Sequence, residues 1–319
     1  MAKGQIAIVG MDTVGVSMAL AIKRALPESN LFIVDPVGRR LREAGKFAKF
    51  EQTATDVASG CRGAALVILN VRPSQLQEAL KLIGPQVIED AVILVLTPVA
   101  VEAQGWAAEL LPRGVHHMIC HLVLHSEKAA QTQPDAALFH GAVLCMLPAP
   151  QTDGGVVKIG GDLARTLGAR PYYLDAAELD GMLGGVEGLP YLLSALAALT
   201  AMQSEAWPEL SVVAGSLFAQ ITQPMLEPQY DQGEGLQLNR AEVLRWLDVF
   251  QASLRDLRRV LEAGPEQELG KLFEDLEQKR AEWLNSRPAR AWTDDAGLPP
   301  SGMKYQRPNP LLPHWGVKT

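Results

Sequence analysis

Near the amino terminus the run Gly10-Met11-Asp12-Thr13-Val14-Gly15 follows an apolar segment, Gln5–Val9, and opens a helical pattern. The spacing is that of G-x-G-x-x-G, a turn that sets a helix N-terminus against a dinucleotide pyrophosphate. The first glycine makes the tight turn, the second lets backbone approach the phosphates, and the third packs helix on strand. Here Asp12 stands where the second glycine belongs. A carboxylate about 4 Å from a phosphate is repelled by roughly 4 kcal/mol at an effective dielectric near 20. Alternatively, Asp12 caps the helix and takes amides that a phosphate would use. Both readings stay open at this point. Asp35 lies 20 positions after Gly15, at the end of the next apolar run. It is the residue type that holds a ribose 2′-hydroxyl and favours NAD, although Arg39 and Arg40 close by leave NADP open. The cofactor-binding set is therefore Gly10, Met11, Asp12, Val14, Gly15 and Asp35. Arg72, after the apolar run 66–70, joins it as an anion-binding residue or else is a solvated loop charge.

These residues need a scaffold, and the first half of the chain supplies one. Strand-like runs at 5–9, 31–35, 66–70, 91–96, 115–120 and 142–147 alternate with helical patterns at 14–26, 37–44, 74–83 and 101–111. Such alternation predicts a parallel sheet of the Rossmann type, doubly wound. A further helix over 152–167, stopped by Gly168, and a short strand at 171–174 close the domain near Asp175. Beyond it the pattern is all helical. The segment 176–206 is so apolar that it is expected to be buried on most sides. Asn239 and Glu242 then resemble a capping box, before Val243, Leu247, Phe250, Leu254, Leu257 and Leu261 repeat at heptad spacing. Pro265 starts another helix, with Leu269, Leu272, Leu276 and Trp283 on its apolar face. The expected organisation is a dinucleotide-binding domain over 1–175, an all-helical substrate and dimerisation domain over 176–286, and an extended basic, proline-rich tail over 287–319.

Composition narrows the function classes. A net charge of −7 argues against nucleic-acid binding, which needs clustered Lys and Arg. The run from Met1 into the first strand has no signal-peptide pattern, and the apolar stretch 182–202 carries Glu187 and Pro190, so the chain reads as cytoplasmic and without a membrane partner. Of the 3 cysteines, Cys120 and Cys145 lie in strand-like runs and are expected to be buried free thiols. No metal site is expected. The pair His116-His117 offers none, because adjacent residues on a strand point to opposite faces.

The order and spacing of several motifs then point to a family. Ile6-Ala7-Ile8-Val9-Gly10 with Gly15 and Ser17-Met18-Ala19 looks like its opening strand and helix. His121-Leu-Val-Leu-His-Ser126-Glu127-Lys128, with Leu138-Phe139-His140-Gly141, is similar to its H-P-M-A-G-S-E-K … L-F-x-G segment. Glu187-Gly188-Leu189-Pro190-Tyr191 stands in place of S-H-L-P-H, and Asn239 heads a helix like its dimer helix. Over roughly residues 5–286 the chain resembles the prephenate/arogenate dehydrogenases. That resemblance implies oxidation of a ring hydroxyl with hydride transfer to NAD(P), coupled to loss of carbon dioxide. It makes His121 the catalytic base, just past the strand 115–120, and Ser126 a substrate-binding residue.

The supporting residues depart from the family. Its serine beside the histidine is Ala100, its lysine is Glu102, the histidines of S-H-L-P-H are Gly188 and Tyr191, and its substrate-gripping arginine falls at Gln220. Losing a bidentate carboxylate partner removes roughly 1.5–3 kcal/mol. The leading expectation is a homodimeric, NAD-dependent dehydrogenase of tyrosine biosynthesis, or one acting on a related small carboxylate. The alternative is a catalytically silent relative that keeps the fold as a nucleotide- or ligand-binding module. A β-hydroxyacid dehydrogenase would need a lysine near the domain junction, and no Lys occurs between Tyr172 and Gln237.

Overall fold

The computed structural model describes residues 4–124, 131–226, 233–263 and 266–289. The chain divides into two compact units: one runs to Asp180 and takes in Gly233–Gly235, and the other begins at Gly181. The first unit holds one eight-stranded sheet of order β3-β2-β1-β4-β5-β6-β7-β8. Its strands are β1 Gln5–Val9, β2 Asn30–Val34, β3 Gln52–Ala54, β4 Ala64–Asn70, β5 Val92–Leu96, β6 His116–Val123, β7 Val143–Leu147 and β8 Arg170–Tyr173. The central strands are apolar on both faces because helices cover both. Ile6, Ile8, Ile33, Leu66, Ile68 and Leu94 are all buried in one core. The helices are α1 Thr13–Ala25, α2 Gly38–Ala44, α3 Val57–Gly60, α4 Pro73–Ile83, α5 Ala100–Leu110 and α6 Gly154–Leu167, followed by α7 Ala176–Leu183.

From β3 to β6 the sheet is parallel, so the carboxyl ends of β1, β2, β4, β5 and β6 share one edge. β7 departs from the expected all-parallel run: it pairs antiparallel with β6, and β8 then pairs parallel with β7. The physical reason is economy of connection. β7 starts at the edge where β6 ends, so no crossover helix is needed between them. The short polar strand β3 and the single-turn helix α3, capped by Asp56 accepting from Ser59 N–H at 2.7 Å, carry too little pattern to be read from sequence.

The turn after β1 is fixed by close approach. Gly10 has φ +97°, and a Cβ there would lie 1.7 Å from the Asn70 carbonyl oxygen. A Cβ on Gly15 would lie 1.9 Å from the Gly10 carbonyl oxygen. The first and third glycines of the motif are therefore demanded by packing between β1, α1 and the end of β4.

The second unit is helical throughout its described residues. After α7 the chain makes a π turn, Gly184–Gly188, then α8 Leu189–Met202, α9 Trp207–Val213, α10 Ser216–Thr222, α11 Glu234–Leu238, α12 Arg240–Ala263 and α13 Glu266–Ala289. The π turn packs on α12. Trp246 donates its indole N–H to the Gly181 carbonyl at 2.7 Å, and a Cβ on Gly185 would sit 2.4 Å from that ring. The apolar stretch Ala176–Met202 is long and apolar enough to cross a membrane by length and composition, yet it is interrupted by the π turn and only 28% of its most apolar window is buried. The expectation of burial on most sides fails here: Leu196, Leu199 and Met202 are exposed. On α12, Val243 is buried while Leu254 and Leu261 are exposed. The helix α13 runs on to Ala289, into the start of the span 287–319 expected to be an extended tail.

Candidate functional site

At the carboxyl edge of the sheet, Asp12 is the N-cap of α1. Its Oδ1 accepts from the Gly15 N–H and from Asn70 Nδ2, each at 2.9 Å. Asn70, the last residue of β4, also donates to the Gly10 carbonyl at 3.4 Å. The capping alternative for Asp12 is thus the observed geometry. Asn70 was not visible as a partner in the sequence, because 58 residues separate it from Asp12. The carboxylate occupies one first-turn amide. Those of Thr13 and Val14, which a helix leaves without internal acceptors, remain at the mouth of the turn.

Asp35 directly follows β2 and is buried. Oδ2 accepts from the Met11 N–H at 2.8 Å, Oδ1 accepts from the Val37 N–H at 2.8 Å, and Arg40 Nη1 approaches Oδ2 at 3.4 Å. Asp35 therefore ties the turn after β1 to the turn after β2. Arg72 is the exposed N-cap of α4, its Nε 3.5 Å from Gln75 Oε1.

His121 lies within β6, two residues before its end, rather than just past the strand; β6 is longer than its apolar run because it pairs with β7 as far as Val123. The imidazole is buried, with Nδ1 3.2 Å from the carbonyl oxygen of Thr97, directly after β5. A carbonyl only accepts, so Nδ1 carries a proton, and in the neutral imidazole the lone pair is then on Nε2. Thr97 is itself held: its N–H donates to the Cys120 carbonyl at 3.0 Å, and its Oγ1 accepts from the Val99 N–H at 3.3 Å.

Asp180, on α7, completes this cluster and was missed by sequence reading. Its Oδ1 accepts from the Ala100 N–H at 2.7 Å and its Oδ2 from the Val101 N–H at 2.9 Å, so it caps α5 from 80 residues away. Burial lifts its carboxyl above the ordinary value, Glu102 adds to that rise, and the Ala100 and Val101 amides and His121 pull the other way. Among the remaining expected residues, Ser126 lies outside the described residues. Gln220 is exposed on α10 of the helical unit, where Gly188 is buried in the π turn and Tyr191 is half-buried on α8. Cys61, Cys120 and Cys145 are buried thiols outside any disulfide, and burial pushes the Cys61 thiol up to about 12. Among the described residues no group of His, Cys, Asp and Glu is arranged to hold a metal ion.

Comparison with known proteins bears on this edge of the sheet. No family model matches the chain. The prephenate dehydrogenase of Bacillus subtilis (strain 168) is 23% identical over 282 residues, covering 87% of this chain and 76% of that protein. The crystal structure of prephenate dehydrogenase from A. aeolicus in complex with hydroxyphenyl propionate and NAD+ superposes with a TM-score of 0.77 at 19% identity, covering 88% of this chain and 99% of that one. Synechocystis arogenate dehydrogenase follows at a TM-score of 0.68 and 16% identity, with 88% of this chain and 99% of that one covered. In sequence the chain is similar to the first of these enzymes, and in fold to the other two. The Rossmann-type sheet followed by a helical unit is the architecture it shares with those structures.

The buried carboxylate of Asp180 makes a measurable prediction. Because folding raises its carboxyl above the ordinary 3.8, the native chain binds that proton more tightly than the unfolded chain does. Stability from this group is therefore greatest in acid and falls as pH rises through the window above 3.8. Asp180→Asn, which has no such titration, should gain stability relative to the wild type as pH rises from below that value toward neutrality, read from urea midpoints at stepped pH. The opposite slope would show that the two amide bonds outweigh burial.

Proposed function

We propose that this chain is a nicotinamide-dinucleotide-dependent dehydrogenase acting on prephenate, arogenate or a related small carboxylate, with His121 as its base. The observation that carries the reading is the seat of His121: a buried imidazole at the carboxyl edge of the sheet, its Nδ1 proton committed to the Thr97 carbonyl. An imidazole fixed this way presents Nε2 to take a proton from a substrate hydroxyl. A bound nicotinamide would supply the hydride acceptor. The turn after β1 fits the pyrophosphate of such a cofactor in its glycines and in the Thr13 and Val14 amides, with Met11 and Val14 in the loop beside it. Asp12 adds a fixed negative charge there, which weakens binding without closing the helix end. Asp35 is the ribose contact that favours NAD. Arg40, the longest of its contacts, is the one a ribose hydroxyl displaces. Arg72 supplies positive charge beside this edge, and Ser126 and Gln220 are the proposed substrate contacts. The setting that follows is cytoplasmic aromatic amino acid biosynthesis, towards tyrosine.

A second reading is favoured by the same helix end. With Asp12 anchored by Asn70, and with Ala100, Gly188 and Gln220 in place of the family's polar groups, a silent, ligand-binding relative would show this geometry too. Fluorescence titration of NADH and NADPH, beside dinucleotide reduction assays with prephenate and arogenate, separates the two.

The helical unit is proposed to pair with a second copy of the chain, and the domain limits expected from sequence, 1–175, 176–286 and 287–319, are kept as part of this reading. Val212, Val213 and Leu217 are 84%, 78% and 78% exposed on α9 and α10. Leu254, Leu261, Phe273 and Trp283 are more than half exposed on α12 and α13. Leaving so many large apolar side chains in water is an aggregation liability that a two-fold interface removes.

The expected outcomes are concrete. Asp12→Gly should tighten NAD binding by on the order of tenfold, about 1.4 kcal/mol; unchanged affinity would mean that the carboxylate does not oppose the cofactor. His121→Ala should lower turnover by roughly 10²–10⁴, and equal rates would remove His121 from the chemistry. A wild type silent on both substrates supports the second reading. Light scattering over a dilution series should give twice 34.5 kDa, and a stable species at that single mass would rule out the dimer.

A further inference from the structure

The turn from Thr97 to Val101 is gripped at both ends. At its start, Thr97 donates its N–H to Cys120 on β6. At its finish, the amides of Ala100 and Val101 both end on the Asp180 carboxylate. Between these anchors lies the Thr97 carbonyl that receives the His121 Nδ1 proton. The way α5 is capped is unusual within this chain. Asp12 and Asp56, both exposed, and Asp153, half-buried, each cap the helix they precede. At α5 the N-cap is Val99, which has no capping side chain, and the acceptor comes instead from a carboxylate that is only 6% exposed. A buried carboxylate is costly to desolvate, whereas Ser or Asp at position 99 would satisfy the same amides cheaply. Helix capping alone therefore does not account for Asp180.

We infer that Asp180 is a positioning residue for His121. The inference rests on the proposed role of His121 as base. By holding Ala100 and Val101, Asp180 fixes the turn so that the Thr97 carbonyl faces Nδ1 and selects the tautomer in which Nε2 is the free base. Its charge also acts on the imidazole, and through little solvent, so it favours the imidazolium that forms when Nε2 takes a proton. Ala100 offers no hydroxyl to share this work. Asp180 thus carries a duty that a polar side chain at position 100 would otherwise share.

The tautomer is directly observable and needs no substrate. Protein labelled with ¹⁵N-histidine is examined by long-range ¹H–¹⁵N correlation at a pH well above the ordinary imidazole value, with His121 assigned by its loss in His121→Gln. The wild type should show His121 as the Nδ1–H form. In Asp180→Ala the Nδ1–H share should fall below half. Asp180→Asn keeps the side-chain volume and one acceptor oxygen, and should give a mixed population; it carries the test if the alanine variant fails to fold. With turnover in hand, both variants should lower kcat several-fold more than they change KM. An unchanged tautomer in a folded variant overturns the inference, reducing Asp180 to a helix cap. That failure is distinct from failure of the base assignment, which shows as undiminished turnover in His121→Gln.

Discussion

A helix that starts at the edge of a buried sheet arrives with amide hydrogens for which it has no acceptor, and everything at the carboxyl edge of this sheet is organised around that deficit. Asp12 answers it at α1, Asp180 at α5, and Asp35 answers the comparable need of Met11 and Val37 in the turns after β1 and β2. Each answer is a carboxylate, and each puts negative charge where this kind of sheet binds ligands. For the anionic ligands proposed for this chain, satisfying the backbone internally competes with binding. At this edge carboxylates already hold the amides of Met11, Gly15, Val37, Ala100 and Val101, and an arriving anion is left with those of Thr13 and Val14.

That competition frames how far the chain has moved from its relatives. The parts that set geometry are intact: the glycines forced by close packing, the strand that carries His121, the carbonyl that orients it. At Ala100, Glu102, Gly188 and Gln220, where the resemblance read from the sequence leads one to expect polar or charged groups, the residues differ.

What the sequence made legible follows from how local each signal is. Apolar runs of five to seven residues between helical patterns located the central strands, and the spacing of Gly10 and Gly15 located the turn. Strand direction was not legible, because an apolar run reads the same both ways; only the placement of the connection makes β7 antiparallel. Asn70 and Asp180 escaped notice for a related reason. Each acts on a residue far away in sequence, and Asp180 sits within Glu178-Leu179-Asp180, where it passes for a solvated helix position. The segment 176–206 was misjudged because composition reports how apolar a helix is and not what lies against it.

The π turn at Gly184–Gly188 carries a consequence for how this unit can change. A π turn is an α-helix with one residue to spare, absorbed in a locally widened turn rather than passed on to the helix that follows. Deleting a single residue there would restore regular α geometry while α8 keeps nearly its present facing. The change would be felt at the turn itself, where the glycines that seat Trp246 would be displaced. A one-codon event can thus reshape the contact with α12 and leave the side chains of α8 looking where they look now. The cluster of small residues around the turn, Gly181, Gly184, Gly185 and Gly188, is what lets helix α12 pack close enough to hold the present setting.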